Sequence, residues 1–530
     1  MIERKRVVPP GGSDAAGKRK GALPAVLFSR TGLVILFLIV QAAITAACWI
    51  GFGELLAKSV LGGRTLLVLV VLVCLLNDGR DPCFQLSWCL LFVAAPFFGV
   101  LLYLWTRADP GNRAVRRRLR ELGSRNAPDC PINDGALDAL RSLRPDSASL
   151  ARYLREVGRF PLYDGTEVRY FSLGDELFPV MLEQLRQAKR FIFLEYFSIR
   201  EGEMWGRILE ILGEKAREGV DVRVLYDGSC ELGALPRRYP ELLREKGVRA
   251  RVWLPLKPLI SSVYNYRDHR KIMVIDGQVA FTGGVNLGDE YINRVSRFGR
   301  WKDSAIMLNG RAVRSFSSLF LQMWNSGEET PEDFTPFLSA EASPAHAAAG
   351  WVIPYADSPL DERRIGKTVY AHILNTAERY VYIMTPYLVL DSDTETALKF
   401  AAERGVDVRI LLPGIPDKPP VWYLAKRYYR SLLSSGVRIW EYTPGFLHAK
   451  SFVSDDTKAV VGSVNLDYRS FYHHFECAVF LSDVPCTIEL KRDFLSALGQ
   501  SREVTEAELS REKLSRRLIG AVMKLIAPLL

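Results

Sequence analysis

A short motif of polar residues occurs twice in this 530-residue sequence, and its residue types are suited to phosphate chemistry. The pattern His-x-Lys-x-x-x-x-Asp fills residues 269–276 and again residues 448–455. The two histidines lie 179 residues apart, and Asn286 and Asn465 are separated by the same 179 residues. A single histidine is often structural, but two motifs with matched asparagines support each other. We therefore interpret them as two contributions to one phosphodiester-handling site.

Each residue type has a role in that chemistry. Cleavage of a phosphodiester is helped by a nucleophile, a proton donor for the leaving oxygen, and cations or donors on the non-bridging oxygens. Two histidines in opposite protonation states, His269 and His448, can supply the first two functions. Lys271, Lys450 and the two asparagines can bind the phosphate without a metal ion or another cofactor. A phosphohistidine intermediate would conserve the energy of the phosphoester, so a second alcohol could accept the group.

Strand geometry predicts different positions for the histidine and lysine of each motif and for its aspartate. Histidine and lysine are two residues apart, so their side chains project from the same face of a β-strand. The odd spacing from Lys271 to Asp276, followed by Gly277, places the aspartate near an Asp-Gly hairpin turn. We therefore include Asp276 and Asp455 in the catalytic motifs but interpret them as structural or electrostatic supports.

The sequence around the motifs is duplicated. Residues 218–225 return with few changes as residues 404–411, and residues 246–249 return as residues 435–438. From about residue 167 onward, strand-like and helix-like segments alternate, which is typical of an α/β fold. Two similar halves are predicted to fold alike, separated by an alanine-rich linker at 339–350.

These motifs resemble those of the phospholipase D superfamily and, more closely, the bacterial cardiolipin synthases. The resemblance extends from about residue 65 to the C-terminus, and it includes residues 283–291, 301–303, 385–387 and 462–470. It implies N-terminal transmembrane helices followed by two phospholipase D-like α/β/α domains, with the active site between the halves. It also implies the transfer of a phosphatidyl group from one phosphatidylglycerol to another, with release of glycerol.

The resemblance also implies roles for individual residues. Asp303 and Glu476 would be the carboxylates that orient the histidines, and Asn286 and Asn465 would bind the substrate phosphate. The superfamily's commoner usage makes His269 the nucleophile and the other histidine the acid and base. The residues themselves leave an exchange of these two roles open.

The sequence departs from the family pattern at two positions. Asp268 stands where the family has asparagine, and His474 replaces the asparagine that precedes Phe-Glu. His474 either perturbs the neighbouring glutamate or substitutes for the asparagine as a donor. His372 and His473 lie outside the matched motifs, and we expect them to be structural.

The N-terminal region contains the apolar segments expected of a membrane protein. Uncharged runs of 23 and 24 residues fill 31–53 and 83–106, and each is long enough to cross about 30 Å of hydrocarbon as a helix. A shorter run occupies residues 65–76. Basic residues flank the region on both sides, which favours a cytoplasmic position for both ends and an even number of crossings. Three runs conflict with that rule, so two or three spanning helices remain open.

The predicted segments follow from these patterns. They are a basic tail (1–30), a transmembrane region (31–106), a connecting segment (107–166), a first half (167–338), a linker (339–350), a second half (351–500) and an amphipathic tail (501–530). The amphipathic tail could lie on an anionic bilayer or pack back onto the catalytic domain. We expect a multi-pass protein of the bacterial cell membrane with its catalytic domain on the cytoplasmic side.

The net charge limits the classes of binding partner, and the cysteine content limits the kinds of metal or disulfide site. The net charge of +10 favours a polyanion but does not by itself distinguish nucleic acid from anionic lipid. The apolar N-terminal runs favour lipid, so we expect phosphatidylglycerol and anionic membrane lipids as partners and no nucleic acid. The eight cysteines form no C-x-x-C pair, so neither a zinc site nor a disulfide framework is indicated.

Three alternatives to a phosphatidylglycerol-dependent synthase remain. A hydrolase of the same superfamily would use water in place of the lipid alcohol, giving phosphatidic acid or cleaving another phosphodiester. A synthase could also use another phosphatidyl donor, such as phosphatidylethanolamine. A catalytically silent scaffold is disfavoured because both motifs are intact.

Overall fold

The described part of the chain forms two compact units. The computed structural model describes residues 68–77, 82–108, 110–125, 134–236, 238–255, 265–338, 348–361 and 363–529. Within these residues, the smaller unit consists of residues 68–77 and Trp88–Arg107. The larger unit contains both His-x-Lys motifs.

The apolar run at 83–106 forms two short helices, so our expectation of one continuous spanning helix is wrong there. Helix α1 covers Pro82–Ala94 and helix α2 covers Pro96–Ala108. The break falls at Pro96, because proline has no N–H to donate to the carbonyl four residues before it. No helix within the described ranges is both long and apolar enough to cross a bilayer. The predicted span at 31–53 lies outside the described residues.

The connecting segment is largely helical. Its described helices are α3 (Pro110–Arg125), α4 (Asp134–Leu143) and α5 (Pro145–Glu156). Helix α5 begins with a proline, whose fixed φ suits the first helical position. Its buried side chains, Leu150 and Leu154 among them, pack into the core of the second half.

A seven-stranded sheet forms the first half. In chain order its elements are β1 (Glu167–Phe171), α6 (Gly174–Gln187), β2 (Phe191–Tyr196), α7 (Glu203–Arg217), β3 (Asp221–Asp227), α8 (Tyr239–Glu245), β4 (Arg249–Trp253), β5 (Arg267–Asp268), β6 (Lys271–Ile275), β7 (Val279–Gly283), β8 (Arg300–Lys302), β9 (Ala305–Asn309), α9 (Val313–Trp324) and α10 (Thr335–Leu338). The strand order is β1-β9-β7-β6-β2-β3-β4. The central strand β2 is buried along its whole length, as expected for a strand that is covered on both faces.

The second half repeats this arrangement. Its elements are β10 (Trp351–Asp357), α11 (Ile365–Thr376), β11 (Tyr380–Met384), β12 (Leu388–Val389), α12 (Ser392–Glu403), β13 (Asp407–Pro413), α13 (Pro419–Ser434), β14 (Arg438–Tyr442), β15 (Gly445–Leu447), β16 (Ser451–Ser454), β17 (Lys458–Gly462), β18 (Leu466–Asp467), α14 (Tyr468–Tyr472), β19 (His474–Ser482), α15 (Cys486–Leu498), β20 (Ser501–Glu503), α16 (Glu506–Ser510) and α17 (Leu514–Leu525). The order β10-β19-β17-β16-β11-β13-β14 corresponds strand for strand to the first sheet, with β20 added at its edge. The sequence repeat is therefore also a repeat of topology.

Short strands connect the two halves beside each motif. Strand β5 pairs in parallel with β19, with Asp268 opposite Phe475. Strand β15 pairs in parallel with β8, with Leu447 opposite Lys302. One residue further along each pair, a histidine of one half comes beside an acidic residue of the other. The fold thus sets the geometry of the candidate site through main-chain pairing.

The C-terminal helix α17 packs against α13 through one face. Gly520 lies against the carbonyl of Tyr423, where a side chain would collide. The other face leaves Leu514 80% and Leu518 64% exposed. The first face of α17 therefore packs onto the catalytic domain, which was one of the two predictions for the tail. The second face has the apolar character expected of a bilayer-facing surface.

Candidate active site

Each motif histidine is held by a carboxylate from the opposite half. His269 Nδ1 lies 2.9 Å from both carboxylate oxygens of Glu476. His448 Nδ1 lies 2.7 Å from Oδ2 of Asp303. These hydrogen bonds use Nδ1 and leave Nε2 of each imidazole for chemistry. The structure therefore brings together four of the residues that we predicted for the site.

The electrostatic surroundings keep the imidazoles neutral before a substrate binds. Burial lowers the pKa of His269 well below its usual value, and Lys271 lowers it further. Burial lowers the pKa of His448 to about 4, with Lys450 acting in the same direction and Asp303 opposing it. A neutral imidazole has the free lone pair that a nucleophile needs. An anionic phosphodiester would raise both pKa values and favour protonation of one ring.

The two lysines provide positive charge inside the protein. Lys271 Nζ donates to the carbonyl of His269, and Lys450 Nζ donates to the carbonyl of His448. Each lysine is therefore fixed beside the histidine of its own motif. Burial lowers the pKa of Lys271 to about 8 and that of Lys450 to about 7. At neutral pH Lys271 is therefore mostly charged and Lys450 is about half charged, and a bound phosphate would favour the charged form of both.

The two asparagines are buried but differ in how their amides are satisfied. Asn286 accepts from the N–H of Ser198 at 3.1 Å and donates to the Tyr291 hydroxyl at 2.8 Å. The ring of Tyr291 in turn packs 5.6 Å from that of His448. Asn465 donates to Asp467 at 3.3 Å, while its Oδ1 has no hydrogen-bond partner among the described residues. Phosphate binding by both asparagines stays a prediction.

Asp276 and Asp455 are not part of this cluster, so their inclusion among the catalytic residues is corrected. Asp276 accepts hydrogen bonds from three consecutive backbone N–H groups, those of residues 189–191, at 2.7–2.9 Å. Asp455 does the same for residues 378–380, at 2.8–3.0 Å. Both have positive φ angles, 54° and 56°, at the hairpin turn that follows the motif strand. They anchor the start of the neighbouring central strand, as the interpretation of structural supports predicts.

Small residues before each asparagine make room for the carboxylates. A side chain on Gly284 would collide with Asp303. In the second half Ser463 takes the place of Gly284, and its hydroxyl donates to Glu476. Sequence reasoning treated this serine only as a small residue and missed its contact with the carboxylate. A hydroxyl adjacent to a buried acid is the signal that could have identified it.

His474 lies directly beside His269. Their ring centroids are 4.9 Å apart, and His474 Nδ1 is 3.5 Å from Glu476 Oε1. Both ring nitrogens of His474 are buried without a hydrogen-bond partner among the described residues. His474 thus occupies the site itself, with capacity to donate that the protein leaves unused.

His269, His474 and Glu476 also form the group within the described residues that could hold a metal ion. One potential ligand atom from each lies within 4.8 Å of the others. Two neutral imidazoles and a carboxylate suit a zinc-like ion. However, Lys271 and Lys450 both lower the pKa of His269 through their charge, so the surroundings favour an anion over a cation.

Asp268 belongs to a second, fully buried carboxyl pair behind the histidine. Burial raises the pKa of Asp268 to about 6, and burial and the Asp268 charge raise the pKa of Glu195 well above its usual value. Arg270 Nη1 lies 3.5 Å from Glu195 Oε1. Where the family has a neutral asparagine, this chain therefore places an additional acidic group beside the arginine.

Aromatic rings pack against both histidines of the site. The motif spacing did not predict one of these rings, that of Phe197. The ring of Phe197 lies 5.0 Å from that of His269, and the ring of Trp301 lies 5.3 Å from that of His448. Trp301 Nε1 also approaches Asp303 Oδ2 at 3.4 Å. Phe197 follows strand β2 without any motif, so the sequence alone could not identify it. Such rings exclude water, which strengthens electrostatic interactions in the site.

Comparisons with known proteins identify the family to which this chain is similar. The family model described as "Cardiolipin synthase, PLD-like domain" matches residues 181–324 and 370–498. A cardiolipin synthase of Geobacillus sp. is 33% identical, over 94% of this chain and 99% of its own length. Cardiolipin synthase 2 of Bacillus anthracis is 34% identical, over 86% of this chain and 88% of its own length. These matches confirm the family resemblance that the paired motifs predict.

Two further matches show similarity of sequence or of fold without indicating an activity. An uncharacterized protein of Streptococcus mutans is 50% identical, over 86% of this chain and 98% of its own length. A solved structure of phosphatidylserine synthase from Haemophilus influenzae matches with a TM-score of 0.51 and 16% identity, over 72% of this chain and 98% of that one. At this level of identity the likeness concerns the fold alone.

Proposed function

This chain belongs to the cardiolipin synthase family of phospholipase D-like proteins, and we propose that it joins two phosphatidylglycerol molecules into cardiolipin with release of glycerol. It is a phosphatidyltransferase of the phospholipase D type. The observation that carries the proposal is the pairing of His269 with Glu476 and of His448 with Asp303, in one buried site with two lysines.

In the first proposed step, Nε2 of His269 attacks the phosphorus of one phosphatidylglycerol. A P–N bond forms, the P–O bond to the glycerol headgroup breaks, and Nε2 of His448 gives its proton to the departing glycerol oxygen. Lys271 and Lys450 balance the charge on the non-bridging oxygens. The hydrogen bonds at Nδ1 of both rings keep each Nε2 directed at the substrate.

In the second step, the headgroup hydroxyl of another phosphatidylglycerol resolves the phosphohistidine. His448, now neutral, removes the hydroxyl proton while the oxygen attacks phosphorus and the P–N bond breaks. The products are cardiolipin and one glycerol, and both histidines return to their starting protonation states. No nucleotide is needed, because the bond energy of the donor phosphoester is retained in the intermediate.

The enzyme is proposed to act as a multi-pass protein of the bacterial cell membrane, with its catalytic domain on the cytoplasmic side. The uncharged run at 31–53 is long enough to cross a bilayer, and α1 and α2 add largely uncharged helices that suit the same environment. Within the smaller unit, Leu76, Val93 and Leu101 expose more than half of their surface. Apolar side chains exposed in such numbers suit contact with lipid.

A product assay tests the proposed reaction. Purified full-length protein in vesicles with radiolabelled phosphatidylglycerol is expected to form cardiolipin and glycerol in equal amounts. Phosphatidic acid as the sole product would show a hydrolase and overturn the proposal. Cardiolipin formed only when phosphatidylethanolamine is added would identify another donor. Lys450→Met is the matched inactive control, because it keeps the side-chain length and removes the charge.

The paired lysines predict a falling activity at alkaline pH. The pKa of Lys450 is about 7 and that of Lys271 is about 8, so both lose their charge as the pH rises through 7–8. We expect kcat/KM, which reports the free enzyme, to fall over this range. In Lys450→Arg the charge persists, because the arginine pKa is above about 12. Its alkaline limb should therefore move toward the pKa of Lys271, and an unchanged limb in this variant would contradict the assignment.

His474→Asn, which restores the family residue, is expected to change activity by less than about tenfold, since Asn retains a donor. Burial, Lys271 and then His474 lower the pKa of His269, so removing the second imidazole should raise that pKa. The acid limb of the kcat/KM profile is expected to move to higher pH. A loss beyond about 100-fold, in the range of general acid–base catalysis, would instead place His474 in the reaction itself.

A further inference from the structure

A separate cavity lies behind the segment that carries His269. It has a volume of about 800 Å³, and its lining includes Arg270 and Phe475. The sequence neighbours of these two residues, His269 and Glu476, contact each other in the candidate active site. Successive side chains of an extended chain point to opposite sides, so the cavity and the site lie on opposite sides of the same main chain.

The lining combines positive charge with apolar surface. Seven arginines and three acidic residues line the cavity, which leaves an excess of four positive charges when all are ionised. Arg117 and Arg120 come from α3, while Arg159 and Arg363 come from the loops that follow α5 and β10. Between them, Leu319 and several other apolar side chains form part of the wall. Such a volume and mixture are typical of sites for small amphiphilic ligands.

Arg270 brings a buried positive charge to the wall of the cavity. Its side chain is almost completely buried, with 5% of the residue exposed. Its guanidinium lies 5.6 Å from the Phe475 ring centroid and 3.5 Å from Glu195, but its Nε has no hydrogen-bond partner among the described residues. That nitrogen is itself buried, so a ligand in the cavity would meet the charge of Arg270 together with that of the six other arginines of the lining. A phosphate group is the acceptor that arginine clusters bind best.

We propose that this cavity binds the phosphate group of an anionic phospholipid at a regulatory site separate from the candidate active site. Arginines would hold the phosphate, and the wall that includes Leu319 and Phe475 would contact the first carbons of the lipid. A free phosphate ion offers the same group but makes no use of the apolar wall. Because Arg270 directly follows His269, an occupied cavity changes the surroundings of that histidine.

Binding to an enzyme with a disabled active site tests this proposal independently of the transfer reaction. Full-length Lys450→Met protein in detergent is titrated by calorimetry with dihexanoyl phosphatidic acid and, separately, with inorganic phosphate. We expect the lipid to bind this variant. Adding Arg159→Gln and Arg363→Gln is expected to weaken lipid binding by about tenfold or more, since charge-assisted hydrogen bonds are lost. Arg217→Gln with Arg244→Gln removes the same charge from exposed helices outside the cavity and should leave binding unchanged.

Each outcome decides the proposal. Binding that disappears in Lys450→Met, or that survives the cavity substitutions, overturns it. Inorganic phosphate that binds as tightly as the lipid overturns the lipid assignment and leaves a free-phosphate site. In the otherwise wild-type protein, Arg159→Gln with Arg363→Gln should change the rate on phosphatidylglycerol vesicles by about twofold or more, because this anionic lipid also fills the cavity, whereas Arg217→Gln with Arg244→Gln should leave the rate unchanged. An equal rate in both double variants would overturn the regulatory role. These readouts remain interpretable even if the transferase reaction itself is different.

Discussion

Replacement of His269 by alanine is expected to reduce cardiolipin formation by about 10⁴-fold or more, because the covalent route loses its nucleophile. Glu476 would remain in place but would have no imidazole to orient. The measurement is the initial rate of labelled cardiolipin formation in vesicles. His372→Gln, at a histidine outside the cluster, should retain full activity, and thermal unfolding should confirm that both variants are folded.

Trapping the covalent intermediate distinguishes the roles of the two histidines. A reaction quenched in alkali, where phosphoramidate bonds survive, is expected to contain a phosphatidyl group on the peptide with His269. Proteolysis and mass spectrometry locate the adduct. In His448→Asn supplied with a p-nitrophenyl ester of phosphatidic acid, whose leaving group needs no acid, the adduct should accumulate because the acceptor hydroxyl loses its base. An adduct on His448 in the wild-type enzyme would reverse the two roles, and activity in His269→Ala without any adduct would reject the covalent mechanism.

Much of the candidate site was predictable because phosphate chemistry restricts the residue types. Histidine and lysine two residues apart could be placed on one strand face, and the turn position of Asp276 followed from its odd spacing and the glycine after it. The duplicated halves also followed from the repeat, and the two sheets have the same strand order. In each case a local periodicity or an internal copy carried the information.

The contacts between the halves could not be derived in this way. His269 and Glu476 are 207 residues apart, and they meet because the two-residue strand β5 pairs with β19. A strand that short has no periodicity to read, so only the family resemblance indicated the carboxylates. Likewise, the arginines of α3 were interpreted as a membrane flank, because nothing in their spacing shows that several of them line a cavity with Arg270.

The helix break at Pro96 shows a different limit. Hydropathy counts charges and apolar residues, and by that measure residues 83–106 are a single run. The missing N–H of proline is a stereochemical property that such a count ignores. The two helices that result, α1 and α2, contain 13 residues each. The distribution of apolar residues was thus predictable, but the length of each helix was not.

Asp303→Asn is expected to lower the rate of cardiolipin formation by about 10²–10⁴-fold, the range of general acid–base catalysis. Asp303 belongs to the first half, yet its Oδ2 orients His448 of the second half at 2.7 Å. An amide in its place can present a donor to Nδ1 and favour the wrong tautomer of the ring. The backbone N–H of Ser304, which donates to Asp303 at 2.9 Å, can still donate to the asparagine, so the fold should persist.

The choice of leaving group separates this effect from a general loss of structure. p-Nitrophenolate leaves a p-nitrophenyl ester of phosphatidic acid without taking up a proton. The first step of the reaction with this substrate therefore needs no acid from His448. In Asp303→Asn the burst of p-nitrophenol should therefore be nearly normal, while the reaction with phosphatidylglycerol remains slow. Glu476→Gln is the matched variant, and it should slow both substrates because it disturbs the nucleophile. Equal losses on both substrates in Asp303→Asn would show that Asp303 supports the site as a whole, and would remove His448 from the role of proton donor.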